Sequence, residues 1–350
     1  MRTVVTKADE IGVWFVAIRA HTGADVFTER LAKALRERGV KAEISWLPHY
    51  AEYLPWLVKK PHPPAWATVA HVNSWLHESL LPDNLPRVVT VHLCVHDQSI
   101  GAYQGFLQKL YHRVWIRHCE SLSLKSADAV TAVSHYTAKM TKRIFETSEI
   151  RVIHNWVDSK SLPLCGVQAP GKSKPFRLVF VGNVTQRKGA DLLVPIMEKL
   201  SNGFELRYTG TEDDLRKIGV SKIPKNVIPV GRISSQTEME KLYGESDALI
   251  FPTRLEGFGL VVAEAMAAGL AVVASNCSSI PELIGSEGAG ILCTPDNVEE
   301  FVGACKRLHS SPGIRQMISV KARDRAERLF SPAEAVGKYV RVYQDVTNDA

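Results

Sequence analysis

The sequence has 350 residues and six cysteines, Cys94, Cys119, Cys165, Cys277, Cys293 and Cys305, none of them in a Cys-x-x-Cys pair. Their scatter excludes the usual zinc ligand spacings and a dense disulfide scaffold. Isolated thiols of this kind read as small buried apolar residues of a reducing compartment. No Asp-x-Asp follows a strand-like run, so there is no sequence signature for a carboxylate-held metal; Glu212-Asp213-Asp214 reads as a solvated helix start. At the N-terminus Arg2 and Lys7 lead to Asp9 and Glu10, not to an apolar stretch, and no signal peptide is expected. The longest apolar window, Gly257 to Ser275, contains internal glycines and has Glu264 near its centre. A membrane span needs about 20 apolar residues, so this window reads as a buried helix followed by a buried strand. There is no short internal repeat.

What is present is ordinary globular material: 45% apolar and 23% charged residues, enough for two domains at about 100–200 residues each. The net charge is +6 and uneven. Residues 1–170 hold 20 basic and 15 acidic side chains; residues 171–350 hold 23 and 22. The excess in the first half is either a solvated surface or a face that meets something anionic, such as a membrane or a phosphorylated acceptor. Two features bear on that choice. Tyr53–Trp66 mixes aromatics and prolines with Lys59 and Lys60. Lys109, Arg113 and Arg117 are spaced four apart on a helical stretch, so they fall along one face.

Strand-like runs alternate with helical segments throughout, which implies parallel sheets covered by helices. Ile11–Ile18 is a buried strand, followed by Thr22-Gly23 and a helix over Asp25–Arg38 whose apolar stripe is Val26, Leu31 and Leu35. Further strands are expected at 41–46, 67–72, 87–92, 129–133 and 151–154, with a long helical stretch over 102–125. Ser159–Pro175, rich in proline, glycine and lysine, reads as an interdomain linker. A second series of strands begins at Arg177. The expected organisation is a first domain over 1–165, a second over 172–331, and a C-terminal helix in 332–350 that packs back on the first.

The segment Phe251–Gly269 carries the chemistry. A strand ends at Phe251-Pro252, a glycine-containing loop turns, and a helix starts near Gly259. Free N–H groups and a partial positive charge at such a terminus suit phosphate. Glu256 lies in the loop. Glu264 lies on an otherwise apolar helix, where a carboxylate is costly without a partner. It is either a satisfied core group or an acceptor for paired hydroxyls such as those of a ribose. Arg187 and Lys188, before Gly189 and after a strand, form either a solvated pair or a phosphate clamp. Gly23 lies in the first strand-to-helix turn. His92 ends the strand Val88–Val91; His71, His96 and His154 are weaker rivals.

These residues carry a resemblance. Glu256 and Glu264, in the wording EGFGLVVAEAMAAGLAVVAS, look like the E-x7-E segment of the retaining glycosyltransferases of family 4. Val179–Gly189 resembles that family's first phosphate loop of the second domain. Val230–Arg232, Leu242–Pro252 and Pro281-Glu282 match in order, as do Ala132–Ser134 and Ile153–Asp158 near the end of the first domain. The resemblance implies an α/β fold of the GT-B kind, with two Rossmann-like parallel-sheet domains facing a central cleft. It implies that Lys188 binds the donor diphosphate and Glu264 the ribose. Glu256 would contact the donor sugar, while Phe258, Gly259 and Leu260 offer backbone N–H groups. Gly182 and Asn183 would belong to the phosphate loop, Gly23 would approach the donor phosphates, and His92 would lie near the donor sugar. Asn183 stands where the family commonly has a phosphate-binding arginine, which Arg187 is expected to replace. Trp156 stands where the family has a glycine.

The implied activity is transfer of a hexosyl unit from a UDP- or GDP-sugar, GDP-mannose among them, to a hydroxyl of a glycan or lipid-linked acceptor, with retention. The expected setting is cell-envelope polysaccharide synthesis. No cofactor and no metal are expected, because cationic side chains and helix dipoles neutralise the leaving diphosphate. The expected location is cytoplasmic, with peripheral contact at the inner membrane face, and no nucleic-acid partner is expected. A sugar-nucleotide epimerase and a non-catalytic sugar-nucleotide binding protein are the rival readings.

Overall fold

A computed structural model of the chain describes residues 11–20, 22–147, 149–159 and 175–348. Most of the expected linker, with Cys165, lies outside the described residues. Contacts divide the chain into one unit of Met1–Asn155 with Pro332–Ala350 and a second of Trp156–Ser331.

The first unit is built on β1 (Gly12–Ile18), β2 (Lys41–Leu47), β3 (Val69–Asn73), β4 (Arg87–Val91), β5 (Ala129–Ala132) and β6 (Arg151–Val152). They form one parallel sheet in the order β2-β1-β3-β4-β5-β6. The central strands are apolar runs because both faces are covered: Val13, Trp14, Val69, Ala70, Val88 and Val89 are fully buried. The helices are α1 (Gly23–Glu37), α2 (Phe106–Tyr111), α3 (Arg117–Lys125) and α4 (His135–Phe145). On α1 the buried face runs through Phe27, Leu31 and Leu35, whereas Val26 is 41% exposed. Residues 27, 31 and 35 repeat every four positions and stack on one face; position 26 is a quarter turn away. The stretch 102–125 is not one helix. A π-helical turn, His112–Ile116, joins α2 to α3, so residues spaced four apart do not keep a single α-helical face across it.

The second unit carries β7 (Phe176–Phe180), α5 (Leu193–Leu200), β8 (Phe204–Tyr208), α6 (Glu212–Lys217), β9 (Val227–Pro229), α7 (Gln236–Gly244) and β10 (Ala248–Phe251). Then follow α8 (Leu260–Ala267), β11 (Ala271–Ser275), α9 (Ile280–Ile284), β12 (Ile291–Cys293), α10 (Val298–Ser310) and α11 (Pro312–Leu329). Its sheet is also parallel, in the order β12-β11-β10-β7-β8-β9. The apolar window 257–275 divides here into α8 and β11, and no described helix is long and apolar enough to cross a membrane. The acidic run opens α6 through a capping box of Thr211 and Asp214, with Arg216 paired to Glu212 and Asp213. The chain has entered this unit by Val157, whose N–H donates to Phe330 O at 2.9 Å, and Trp156 is 6% exposed.

The last helix, α12 (Pro332–Asn348), packs on α1, β3 and β4 of the first unit. It is pinned there by polar contacts inside an aromatic cluster. His71 Nδ1 meets Tyr343 Oη at 2.6 Å and His71 Nε2 meets Thr90 Oγ1 at 2.7 Å. Phe27 lies edge-on to Tyr339 at 5.7 Å. Burial pushes the His71 imidazole down to about 3, so it is a neutral core residue with both nitrogens occupied.

Candidate active site

In the second sheet the chain runs outward from β7 through β8 to β9, then crosses back to β10 on the other side of β7. The loops that follow β7 and β10 therefore diverge, and open parallel sheets bind ligands in the crevice left at such a point. Those two loops hold most of the second-half residues expected from the sequence.

Lys188 Nζ lies 2.6 Å from Glu256 Oε1, and Arg187 Nη1 lies 3.5 Å from the same oxygen. Arg187 Nη1 also donates to Leu255 O at 2.5 Å. The glycine before the first helical turn is what lets the loops meet. Gly189 has φ +70, and a Cβ there would sit 1.9 Å from Pro252 O. Glu256 is 7% exposed and takes a further hydrogen bond from Thr253 Oγ1 at 3.1 Å. Burial pushes its carboxyl up, but Lys188, Arg187 and Thr253 outweigh this and hold it below the usual carboxylate range. Burial lowers Lys188, with Arg187 adding to the shift and Glu256 opposing it.

Residues with no sequence signature hold the loop. Ser278 Oγ accepts from Glu256 N at 2.9 Å, and Ser279 Oγ donates to Phe258 O at 2.8 Å and to Glu256 O at 3.2 Å. Arg254 makes a two-pronged bond to Asp191 at 2.7 and 2.8 Å and reaches Asp296 at 2.6 Å. It clamps the start of one loop to the helix after the other. No pattern announces these serines and this arginine, since the serines' partners depend on β11 lying beside β10 and the Arg254–Asp191 bond on β7 lying beside β10.

Gly259 follows with φ +96, where a Cβ would come 2.8 Å from Ile280 Cδ1, so only glycine fits. From there α8 begins, and its first-turn N–H groups have no partner within the helix. Phe258 is buried against Phe330, with ring centroids 5.5 Å apart. Leu260 is half-buried. Glu264, also half-buried, accepts from Tyr243 Oη at 3.3 Å. Gly182 sits at φ +142, but its N–H donates to Thr209 Oγ1 at 2.8 Å. Asn183 is exposed.

The two first-half residues lie in the other unit. Gly23 is exposed at the start of α1, with open space around a Cβ. The α1 start is shaped by Asp25, which accepts from Ala20 N at 3.0 Å and from Thr22 Oγ1 at 3.1 Å. His92 follows β4, packed edge-on to Phe27 at 4.6 Å; burial, opposed by Asp25, pushes it down to about 4. It is neutral at physiological pH and can donate or accept. His96 is paired with buried Glu120 at 2.8 Å, and Ser74 Oγ donates to the other carboxylate oxygen at 2.8 Å.

Comparison with known proteins joins these observations. Residues 44–161 match the family described as "Glycosyltransferase Family 4", and residues 175–311 match "Glycosyl transferases group 1". Together the two matches take in most of the chain. The chain belongs to the glycosyltransferases of the family 4 type. This glycosyltransferase is 26% identical over 321 residues to the glycogen synthase of Mycobacterium tuberculosis, covering 88% of the chain and 72% of that protein. It is 24% identical to the GDP-mannose:cellobiosyl-diphosphopolyprenol alpha-mannosyltransferase of Xanthomonas oryzae pv. oryzae, covering 70% of the chain and 67% of that protein. Among solved structures it resembles the sucrose-phosphate synthase of Thermosynechococcus elongatus, with a TM-score of 0.81 at 18% identity, over 97% of this chain and all of that one. At that identity the likeness shows the fold, two parallel α/β units.

Proposed function

We propose that this glycosyltransferase moves a hexosyl unit from a UDP- or GDP-sugar to a hydroxyl of a glycan or lipid-linked acceptor, with retention at the anomeric carbon, in cell-envelope polysaccharide synthesis. The observation that carries the reading is the meeting of Lys188 and Arg187 on Glu256 where the loops after the central strands β7 and β10 diverge. In the reaction the bond from the anomeric carbon to the diphosphate breaks, a bond to the acceptor oxygen forms, and the acceptor proton is released. Negative charge grows on the departing diphosphate. Lys188, Arg187 and the first turn of α8 are the groups placed to stabilise it. In the unliganded protein Glu256 occupies the two cations. On donor binding the diphosphate takes them over, leaving Glu256 to accept from sugar hydroxyls. Glu264 holds the ribose, and neutral His92 contributes a hydrogen bond near the sugar. A Xanthomonas relative named for GDP-mannose and a lipid diphosphate acceptor supports both the donor class and the acceptor class. The +5 balance of residues 1–170 supports peripheral contact at the cytoplasmic membrane face.

Because cationic side chains neutralise the leaving group, turnover is expected to need no metal. The test is a screen of nucleotide-sugars for donor consumption in EDTA, with and without acceptor. Transfer that persists in EDTA supports the reading. Activity abolished by EDTA and restored by manganese overturns the charge-neutralisation mechanism. Interconversion of the donor sugar without any acceptor points to an epimerase instead.

A further inference from the structure

Twelve large apolar side chains are exposed among the described residues, and nine of them fall in two short segments of the first unit. In the first segment, α2 has no buried residue at all. Phe106 and Leu107 are each 79% exposed, Leu110 is 51% exposed, and Val114 on the π-helical turn is 62% exposed. The second segment holds Tyr50, Tyr53, Leu54, Trp56 and Leu57, the last two 64% and 63% exposed. The segments form one surface. Tyr111 Oη donates to Glu52 Oε1 at 3.0 Å, Trp115 Nε1 donates to Glu52 O at 2.8 Å, and the rings of Tyr53 and Tyr111 lie 5.4 Å apart. A helical turn reading Phe-Leu-Gln-Lys-Leu-Tyr with nothing buried is costly in water, and apolar patches of this kind mark a binding surface.

The exposed charges on the two segments themselves are basic, although exposed Glu78 lies beside the Trp56 turn, where His77 stacks on Trp115. Lys59, Lys109, Arg113 and Arg117 are exposed. No acidic residue occurs between positions 53 and 77 or between 98 and 119. Glu52 is turned inward, 12% exposed at its side chain and bonded to Tyr111. Two neighbours belong elsewhere: Lys60 is paired with Asp83 at 2.5 Å, and Trp66 is packed against Gly12. A symmetric pairing with a second copy would set these four cations against the same four. Aromatic and aliphatic tips with Lys109, Arg113 and Arg117 exposed on the same segment fit an anionic lipid interface.

We infer that the Trp56–Leu57 and Phe106–Val114 surface docks this enzyme on an anionic bilayer, its apolar tips inserted among the acyl chains and its basic rim on the headgroups. This rests on the reading of the acceptor as lipid-linked and names the surface that serves it. The test is flotation with vesicles of phosphatidylcholine alone or mixed with phosphatidylglycerol, with Trp fluorescence followed in parallel. Two variants are compared with the wild type, Phe106→Ser/Leu107→Ser and Lys109→Glu/Arg113→Glu; unchanged circular dichroism and thermal unfolding show that each is folded. Wild type is expected to float with anionic vesicles, with a blue shift in Trp emission. Losing two basic contacts lowers partition by at least about thirtyfold, and losing two buried apolar side chains lowers it by at least roughly a hundredfold. The proposal is overturned if wild type ignores anionic vesicles at low salt, if it floats equally with neutral ones, or if the variants float unchanged. It is also overturned if the patch instead drives a concentration-dependent dimer that Phe106→Ser abolishes. Vesicle binding without transfer to a lipid-linked acceptor supports the docking surface and refutes only the acceptor assignment. Transfer to such an acceptor in detergent without vesicle binding refutes only the surface.

Discussion

Lys188→Ala separates the structural role that Lys188 has in this site from the donor-binding role proposed for it. In the folded protein Lys188 is the nearer of two cations on Glu256, at 2.6 Å against 3.5 Å for Arg187. Removing it leaves a carboxylate with 9% of its side chain exposed and a weaker partner. Breaking a buried pair from one side costs about 3–5 kcal/mol. Arg187 and Thr253 remain, so the loss belongs near the lower bound, about 3 kcal/mol. For a unit of this size that is a fall in Tm of about 6–12 °C. The same change removes the proposed charge-assisted contact to the donor diphosphate, worth about 1.5–3 kcal/mol, or roughly 10- to 150-fold in affinity. Lys188→Ala combined with Glu256→Gln tells these apart. The second change removes the stranded charge, so most of the Tm is expected to return, while UDP or GDP affinity measured by calorimetry stays weak. Recovery of both in the double variant would reduce Lys188 to a structural partner of Glu256. A single variant with normal Tm and normal donor affinity would refute both halves of the argument.

Other expectations concern Glu264 and His71. Glu264→Ala is expected to leave the fold intact, since the carboxylate is half-buried, and to weaken UDP or GDP binding by roughly 10- to 150-fold. Calorimetry showing unchanged affinity would remove its ribose role. His71 titrates at about 3 when folded, against an ordinary 6.5. The unfolded chain takes up its proton first, so this contribution to stability is whole above pH 6.5 and drains away as pH falls towards 3. At pH 5 the loss is about 2 kcal/mol. Urea denaturation at pH 7.5 and pH 5 measures it, and His71→Gln is expected to shrink the difference by about that amount, the buried His92 keeping a fall of its own; an undiminished fall in that variant would place the acid sensitivity elsewhere.

The strand runs, the alternation and the turn glycines are legible because parallel strands buried on both faces read as unbroken apolar segments. The loop of Glu256 and the Arg187-Lys188 pair are legible because glycine and charge beside such a strand are unusual. Less of the first unit can be read. Val26 and Phe27 are both apolar neighbours on α1, and only packing on the sheet chooses Phe27 for the inside. The stretch 102–125 has helical composition, yet a π-helical turn divides it. His71 and His96, attractive as isolated histidines, turn out to be held by Tyr343, Thr90 and Glu120.

By itself, then, the sequence determined the two series of parallel strands and the chemical types in the loops after β7 and β10, since these follow from local pattern: apolar runs, helix starts and glycines that free the backbone. Tertiary structure alone decided which groups meet. That Lys188 faces Glu256 across 68 positions depends on β10 lying next to β7. That Ser278 and Ser279 lock the loop depends on β11 lying next to β10. That Phe106, Leu107, Trp56 and Leu57 share one exposed surface depends on Glu52 bonding to Tyr111 and Trp115, 59 and 63 positions away. Partners so distant in the chain leave no periodic trace in it, because sheet order, not spacing, brings them together.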